Sequence, residues 1–582
     1  MTSFTPAYIF LIGALILPLI PKRFRSLFFL IIPVITFVFV LNLQVDTSFQ
    51  MTFINFQLNP LRIDRLSLAF SYVFCLISFF GGIYAYHLKN TGEQIAALLY
   101  AGSALGAIFA GDLLTLFVYW EIMLVGSASL IWFGGQVSSG KAGMRYIIVH
   151  LVGGSFLLAG ILLHYTQTGS IYFGPLEGSG SYLILIGFAI NAAIPPLHAW
   201  LTDAYPEASV TGTVFLSAFT TKVAVYALIR GFEGLEILMW VGAVMALYGA
   251  IFAFMESDIR RILAYHIVSQ VGFMVSAVGI GGQLAINGAV AHAFSHILYK
   301  GLLFMGVGAV IYATGKRKLS GTGGLFKKLP AVFILYMIGA FSISGFPLFS
   351  GFVSKGIVTH AAEVANFTPV FLMLLIASSG TFLHTGLKLP YFVWFGKDKN
   401  LSVNRVPKGM YIGMSLTALA CIVIGVYPNV LYNILPYSVD YQPYTISHLW
   451  ETAGILVFTA LVFWLMIDKI KPKPGITLDF DWFYRRPTSL VYQIFVVFPS
   501  DLFGAVENIT KNLIAKVAIF SANPVGSFVQ PFKNLVSKAK NEPLPAPEPT
   551  VFDEHRYRFP IGIMMLILML GFVIVAYINL LS

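Results

Sequence analysis

His292, His296 and Lys300 recur every four residues in AVAHAFSHILYKGLLFM, so they share one face of a helix. Imidazoles and an amine in such a stripe can take up and release protons in turn. The same chemistry is on offer elsewhere. Glu121 lies deep in LTLFVYWEIMLVGSASL, and Lys222 lies between Thr221 and Val223 in an apolar run. His266 sits in LAYHIVSQVGFM, where it serves either helix packing or proton exchange. Lys355 follows SISGFPLFSGFVS, and Lys388 precedes Pro390. Either of these two lysines could instead reach the membrane surface along its aliphatic stem. A charge inside a spanning helix costs on the order of 2.5–3.5 kcal/mol on insertion scales, and it normally faces a partner or a wet cavity. Burial disfavours a charged amine and a nearby carboxylate restores it, so a lysine that gains and loses such a partner is a switchable proton site.

The elements that must hold these residues are membrane helices. The chain has 582 residues, of which 58% are hydrophobic and 10% charged. A soluble chain would carry about a quarter charged residues. Apolar runs of about 18–25 residues give about sixteen spanning helices. They centre near Ala14, Pro33, Phe74, Gly102, Glu121, Ser155, Ile190, Ala218, Met245, Gly272, Leu302, Ile338, Ser379, Thr417, Val457 and Leu570. The N-terminal MTSFTPAYIF has no basic region and no small-residue cleavage site, so it is expected to open the first span.

Two runs are interrupted. Pro195 and Pro196 break the seventh, and Gly345, Pro347 and Gly351 break the twelfth. Proline lacks a backbone donor and clashes with the preceding turn, so a helix through it kinks or unwinds. Freed backbone groups are tolerated in a bilayer only where protein or a wet cavity surrounds them. The breaks lie five helices apart, and the next helices contain Lys222 and Lys388. Helices four to eight and nine to thirteen therefore read as two five-helix repeats, the second inverted, with an ion path between paired breaks.

The net charge of +11 is uneven along the chain. Odd-numbered connections hold most basic residues, among them Lys22, Arg23, Arg25, Arg260, Arg261 and Lys316 to Lys318. The positive-inside rule makes them cytoplasmic and puts both termini outside. This distribution points to a membrane, not to nucleic acid. Cys75 and Cys421, the only cysteines, fall in apolar runs, which excludes a disulfide framework and a cysteine-rich metal site. There is no nucleophile constellation, phosphate loop or metal-ligand set, so neither an enzymatic site nor a cofactor or metal is expected.

Between the last two spans the chain changes character. KIKPKPGITLDFDWFYRRP reads as a basic turn and tether. Leu502, Val506, Ile509, Leu513 and Val517 then follow helical spacing. This is an amphipathic lateral segment in two or three pieces, lying along the cytoplasmic interface or a neighbouring subunit, and NEPLPAPEPT ends it. The expected organisation is residues 1–90 (helices one to three), 91–232 and 233–397 (the repeats), 398–470 (helices fourteen and fifteen), 471–557 (lateral segment) and 558–582 (final span).

The motifs FVYWE, PPLHAWLTDAYPEA, SAFTTKVAVYALIR, ESDIRRILAYHIVSQVGFM, HAFSHILYKGLLFM and SGFPLFSGFVSK together resemble the antiporter-like subunits of respiratory complex I and of Mrp-type multisubunit sodium/proton antiporters. LDFDWFYRRP is similar to the tail of Mrp-type D subunits, and the amphipathic piece before a final helix resembles the lateral helix of the distal complex I pump subunit. The resemblance implies fourteen or more helices and a hydrated axis of charged residues. It also implies other membrane subunits as partners, proton movement with or without sodium exchange in a prokaryotic inner membrane, and no cofactor in this chain. Such a subunit could belong to a redox-driven pump.

One position departs from the family pattern. The family usually places a lysine five residues before the proline of PLH, and here that residue is Asn191. Asparagine hydrogen-bonds but carries no proton at neutral pH. Either Lys222 partners Glu121 in its place, or the chain is a scaffold or coupling subunit that does not pump.

Overall fold

The computed structural model describes residues 4–54, 56–472, 479–480, 482, 490, 492–553 and 561–581. Part of LDFDWFYRRP lies outside the described residues. Two compact units emerge, Met1–Phe480 and Asp481–Ser582.

The first unit is a bundle of apolar helices whose ends are marked by polar caps. Helix three, Arg65–Tyr84, starts where Asp64 accepts from the Ser67 amide. Asp112 caps helix five, Leu113–Trp132, by accepting from the Thr115 amide (2.7 Å). Asp258 caps helix ten, Ile259–Ile280, through the amides of Arg260 and Arg261. An N-cap carboxylate satisfies donors that apolar surroundings could not, and it complements the positive helix end.

Helices occur over every apolar run. Among the described residues, twelve are long and apolar enough to cross a membrane. Four more apolar helices are shorter: Pro6–Leu19, Arg25–Leu41, Ser179–Asn191 and Pro330–Ser344. Two of these four are the first halves of the interrupted helices. The chain is thus an all-helical integral membrane protein with one addition. The connection after helix two forms a hairpin, Thr47–Phe53 paired antiparallel with Phe56–Ile63.

Both interruptions are real. Helix seven ends at Asn191, passes through Ala193 in the left-handed region (φ 57°) and resumes as Ala199–Ala204. Helix twelve ends at Ser344, passes through Leu348 (φ 72°) and resumes as Ser350–Val364. Left-handed non-glycine residues cost energy and persist where their surroundings impose them. At the second break Gly351 packs so close that a Cβ there would fall 1.7 Å from the Ser342 carbonyl oxygen. Helix eight is also interrupted, running Gly212–Leu216 and then Thr220–Phe232.

Helix nine, Glu236–Met255, and helix ten touch backbone to backbone. A Cβ on Gly242 would meet the Ser276 amide at 2.2 Å, and one on Gly279 the Met239 amide at 2.0 Å. Small residues permit this approach between membrane helices. Helices eight and ten are wholly enclosed by protein, and helix eleven, Gly282–Thr314, is nearly so. These enclosed helices carry Lys222, His266, His292, His296 and Lys300.

In the second unit Phe498–Ala522 and Pro524–Ala539 meet at 100°, and Ile561–Leu581 is the last helix. Asn523 fixes the corner: it accepts from the Gly526 amide (2.8 Å) and donates to the Pro549 carbonyl (2.7 Å). Leu502, Val506, Ile509, Leu513 and Val517 all stay exposed within the chain. Phe528, Phe532 and Leu535 are likewise exposed on the second piece.

Candidate functional site

The breaks create the acceptors that hold the lysines. Unwinding at Ser217–Phe219 frees the Ser217 carbonyl, and Lys222 Nζ donates to it (2.6 Å) and to the Thr221 hydroxyl (3.1 Å). Lys355 Nζ donates to the Ile343 carbonyl (2.8 Å), freed at the break of helix twelve, and to Ser378 (3.2 Å). Lys388 Nζ donates to the carbonyls of Phe254 and Glu256 (2.5 and 3.0 Å) at the end of helix nine. Carbonyls at helix ends carry partial negative charge, so each amine meets the negative pole of a helix. Lys355 and Lys388 are 5% and 3% exposed, which removes the alternative that they extend to the membrane surface.

Helix thirteen, Thr368–Thr381, continues as π-helical turns over Phe382–Lys388 and Tyr391–Phe395. Such widened turns re-aim side chains and recur at functional sites. Here they bring His384 against His266, with ring centroids 4.2 Å apart. His266 Nε2 bonds the Thr385 hydroxyl, and His384 Nε2 donates to the Ala250 carbonyl (2.9 Å).

His292, His296 and Lys300 do lie together on helix eleven. His292 shares hydrogen bonds with Ser354 (3.3 Å) and Tyr299 (3.5 Å). His296 and Lys300 are fully buried, and neither the His296 ring nitrogens nor Lys300 Nζ has a hydrogen-bond partner among the described residues. His296 is within electrostatic reach of Lys222, Lys300, His292 and His266. His292 reaches Lys355, and His384 reaches Lys388 and Lys300. Buried amines and imidazoles from Lys222 to Lys388 thus lie within electrostatic range of one another across helices eight, ten, eleven and thirteen.

Glu121 stands outside this series. Among the described residues it forms no ion pair with Lys222 in this conformation. Glu121 is half-buried on helix five, and a Cβ on Gly154 of helix six, Val137–Thr168, would touch its Oε1 at 2.2 Å. Val118 and Val125 on the same stretch are exposed, so Glu121 looks toward the outer face of the bundle. Asn191 accepts from His150 Nδ1 (2.8 Å). The His150 ring packs against Tyr146 (4.1 Å) and Trp200 (4.4 Å), and Trp200 Nε1 donates to the Ile190 carbonyl across the break.

Tyrosine hydroxyls lie near both Asn191 and Lys222. Tyr146 donates to Ser127 (2.9 Å), and Tyr100 bonds Thr220 Oγ1 (2.6 Å) beside Thr221. Tyr205 packs its ring on Trp200 nearby (5.7 Å). His150, His384 and these tyrosines were not singled out from sequence. A histidine inside an apolar run was the available signal for the first two. Among the described residues no group of His, Cys, Asp or Glu is placed to hold a metal ion.

A bundle of apolar helices, with helices seven, eight and twelve interrupted and buried lysines along its middle, has the architecture of an antiporter-like membrane subunit. Residues 110–383 match the family described as NADH:quinone oxidoreductase/Mrp antiporter, TM. The chain is 30% identical over 394 residues to NADH-quinone oxidoreductase subunit N of Desulforudis audaxviator (strain MP104C), covering 61% of this chain and 78% of the relative. The chain belongs to this family. Its fold is also that of a chain in the Mrp complex from Dietzia sp. DQ12-45-1b (TM-score 0.66, 24% identity, 77% of this chain and 98% of that one). A chain of the archaeal membrane-bound sulfane sulfur reductase matches over 93% of this chain and all of its own length (TM-score 0.69, 22% identity).

Proposed function

We propose that this chain moves protons, alone or in exchange for sodium, within a hetero-oligomeric complex of a prokaryotic inner membrane. The observation that carries this reading is the set of buried amines and imidazoles from Lys222 to Lys388, among them Lys300 and His296, which have no hydrogen-bond partner among the described residues. Amines and imidazoles exchange protons readily, and apolar packing alone does not require them. The deciding experiment uses membrane vesicles holding the assembled complex, with proton flux followed by a pH-sensitive dye. Equal flux from a complex lacking this subunit would refute the proposal.

In this reading sixteen helices span the membrane, and helices four to eight and nine to thirteen are inverted repeats. The paired breaks, each with a left-handed non-glycine residue, support the pairing. The termini face outward. Cysteines placed at the exposed Ser48 and Ser320 are expected to react with an impermeant maleimide from opposite sides. Reaction from one side alone overturns this topology.

The exposed apolar faces of Phe498–Ala522 and Pro524–Ala539 support a lateral segment that clasps a neighbouring subunit or the interface. Deleting residues 489–540 is expected to release a partner while the first unit still inserts at normal yield. Loss of the first unit from the membrane contradicts that assignment.

A second reading has its own observation. Asn191 bonds a histidine where the family usually has a lysine, and Glu121 forms no ion pair among the described residues. A subunit whose first half is inactive would couple or scaffold its neighbours instead. Wild-type flux from the complex after loss of Lys222 would favour it.

A further inference from the structure

His198 follows the break of helix seven and is fully buried. Its Nε2 donates to Asp479 (3.0 Å), while Nδ1 has no partner among the described residues. Asp479 comes from far along the chain, after helix fifteen, Ile446–Met466. Its carboxylate also accepts from the Tyr248 hydroxyl of helix nine, the Tyr265 hydroxyl of helix ten (2.6 Å) and the Phe480 amide (2.6 Å). Four donors from four places thus converge on one carboxylate that is 6% exposed.

Its surroundings make the carboxylate hard to replace. The His198 ring packs on Tyr248 (4.8 Å), Tyr248 stacks on Phe252 (4.3 Å), and Phe252 stacks on Tyr265 (5.6 Å). Tyr265 is fully buried, so its hydroxyl needs an internal acceptor, and Tyr248 beside it is half-buried. Burial pushes the Asp479 carboxyl up, but the donors of His198, Tyr248 and Tyr265 outweigh it and hold the group at about 2. The carboxylate is therefore charged at neutral pH.

We infer that Asp479 is a positioning residue that latches the segment after the helix-seven break to helices nine and ten. The inference rests on the reading of that break as part of an ion path. Two residues beyond His198, Trp200 donates across the break and packs on His150, the partner of Asn191. On the other side of the latch, Tyr265 directly precedes His266 of the buried series. The latch therefore ties the Asn191 region to the Lys222–Lys388 series through two short stretches of backbone. The first unit ends one residue after it, at Phe480, and the chain continues into the unit with the exposed apolar helices.

The test uses the purified assembled complex and diethyl pyrocarbonate, which modifies accessible imidazoles, with His198 followed by mass spectrometry. In the wild type His198 is protected. Asp479→Asn keeps the volume and removes the charge, and His198 is expected to react roughly tenfold faster, the scale of one charge-assisted hydrogen bond. Ion flux falls in parallel, and Asp479→Glu restores both in part. Tyr248→Phe removes one donor and gives the same comparison if the asparagine variant fails to assemble. Unchanged His198 reactivity in both variants overturns the latch. Faster reaction with unaltered flux overturns its positioning role. If the wild-type complex moves no ions, the ion-path reading fails, and His198 reactivity still decides the latch by itself.

Discussion

Exchanging Lys300 for methionine leaves an assembled complex that no longer builds an ion gradient. Methionine has nearly the length of the lysine stem and no charge. Lys300 is fully buried, and its Nζ has no hydrogen-bond partner among the described residues. An unsatisfied buried polar group costs about 1–3 kcal/mol, so removing it does not weaken helix eleven. Expression and thermal stability should therefore equal or exceed the wild type. Flux should fall roughly a hundredfold or more, the usual scale for loss of a positioned proton-transfer group. The pairing of intact stability with lost flux separates this role from a packing role. Near wild-type flux in the variant would remove Lys300, and with it the centre of the series, from the mechanism.

The stripe that carries Lys300 was legible because i, i+4 spacing is a property of sequence alone. So were both breaks, because proline and glycine act locally on the backbone. Other parts of the site depend on which face a helix turns inward, and an apolar run conceals that. Glu121 and Lys222 looked like partners by type. Helix five instead turns Glu121 toward Gly154 and the outer face, while the break in helix eight hands Lys222 a backbone carbonyl. His384 comes against His266 only because helix thirteen widens into π turns, which have no readable period. Tyr100, Tyr146 and Tyr205 read as core aromatics, since only the folded chain shows where a hydroxyl ends. The hairpin left a trace that went unused. Phe49, Met51 and Phe53 alternate with polar residues in TSFQMTF, the two-residue period of a strand, although Met51 and Phe53 stay exposed. Asp479 lay in a segment read as a tether, and its anchor on His198, 281 positions away, is beyond any local pattern.

Lys222→Met should also stop ion flux, but with a different signature. The variant loses two hydrogen bonds and leaves the Ser217 carbonyl unpaired in a fully enclosed helix. A stability loss of about 1–3 kcal/mol is expected, unlike at Lys300. Glu121→Gln should leave that loss unchanged. The two residues form no ion pair, so in the Glu121→Gln, Lys222→Met double variant the stability effects should add to within about 0.5 kcal/mol. A coupling well above that value would restore the direct pair that the structure lacks. Asn191→Lys completes the comparison. The longer side chain gives up the acceptor for His150 Nδ1, and His150 Nε2 already has no partner among the described residues. The new ammonium enters a site walled by Tyr146, Trp200 and an imidazole, with no carboxylate bonded to any of them in the described structure. A buried cation without a counter-charge is destabilising. Flux should therefore fall below wild type, measured as gradient formation at matched expression. A rise in flux would mean that lysine at position 191 finds Glu121 after all, and that this chain is a pump weakened by the loss of its usual amine.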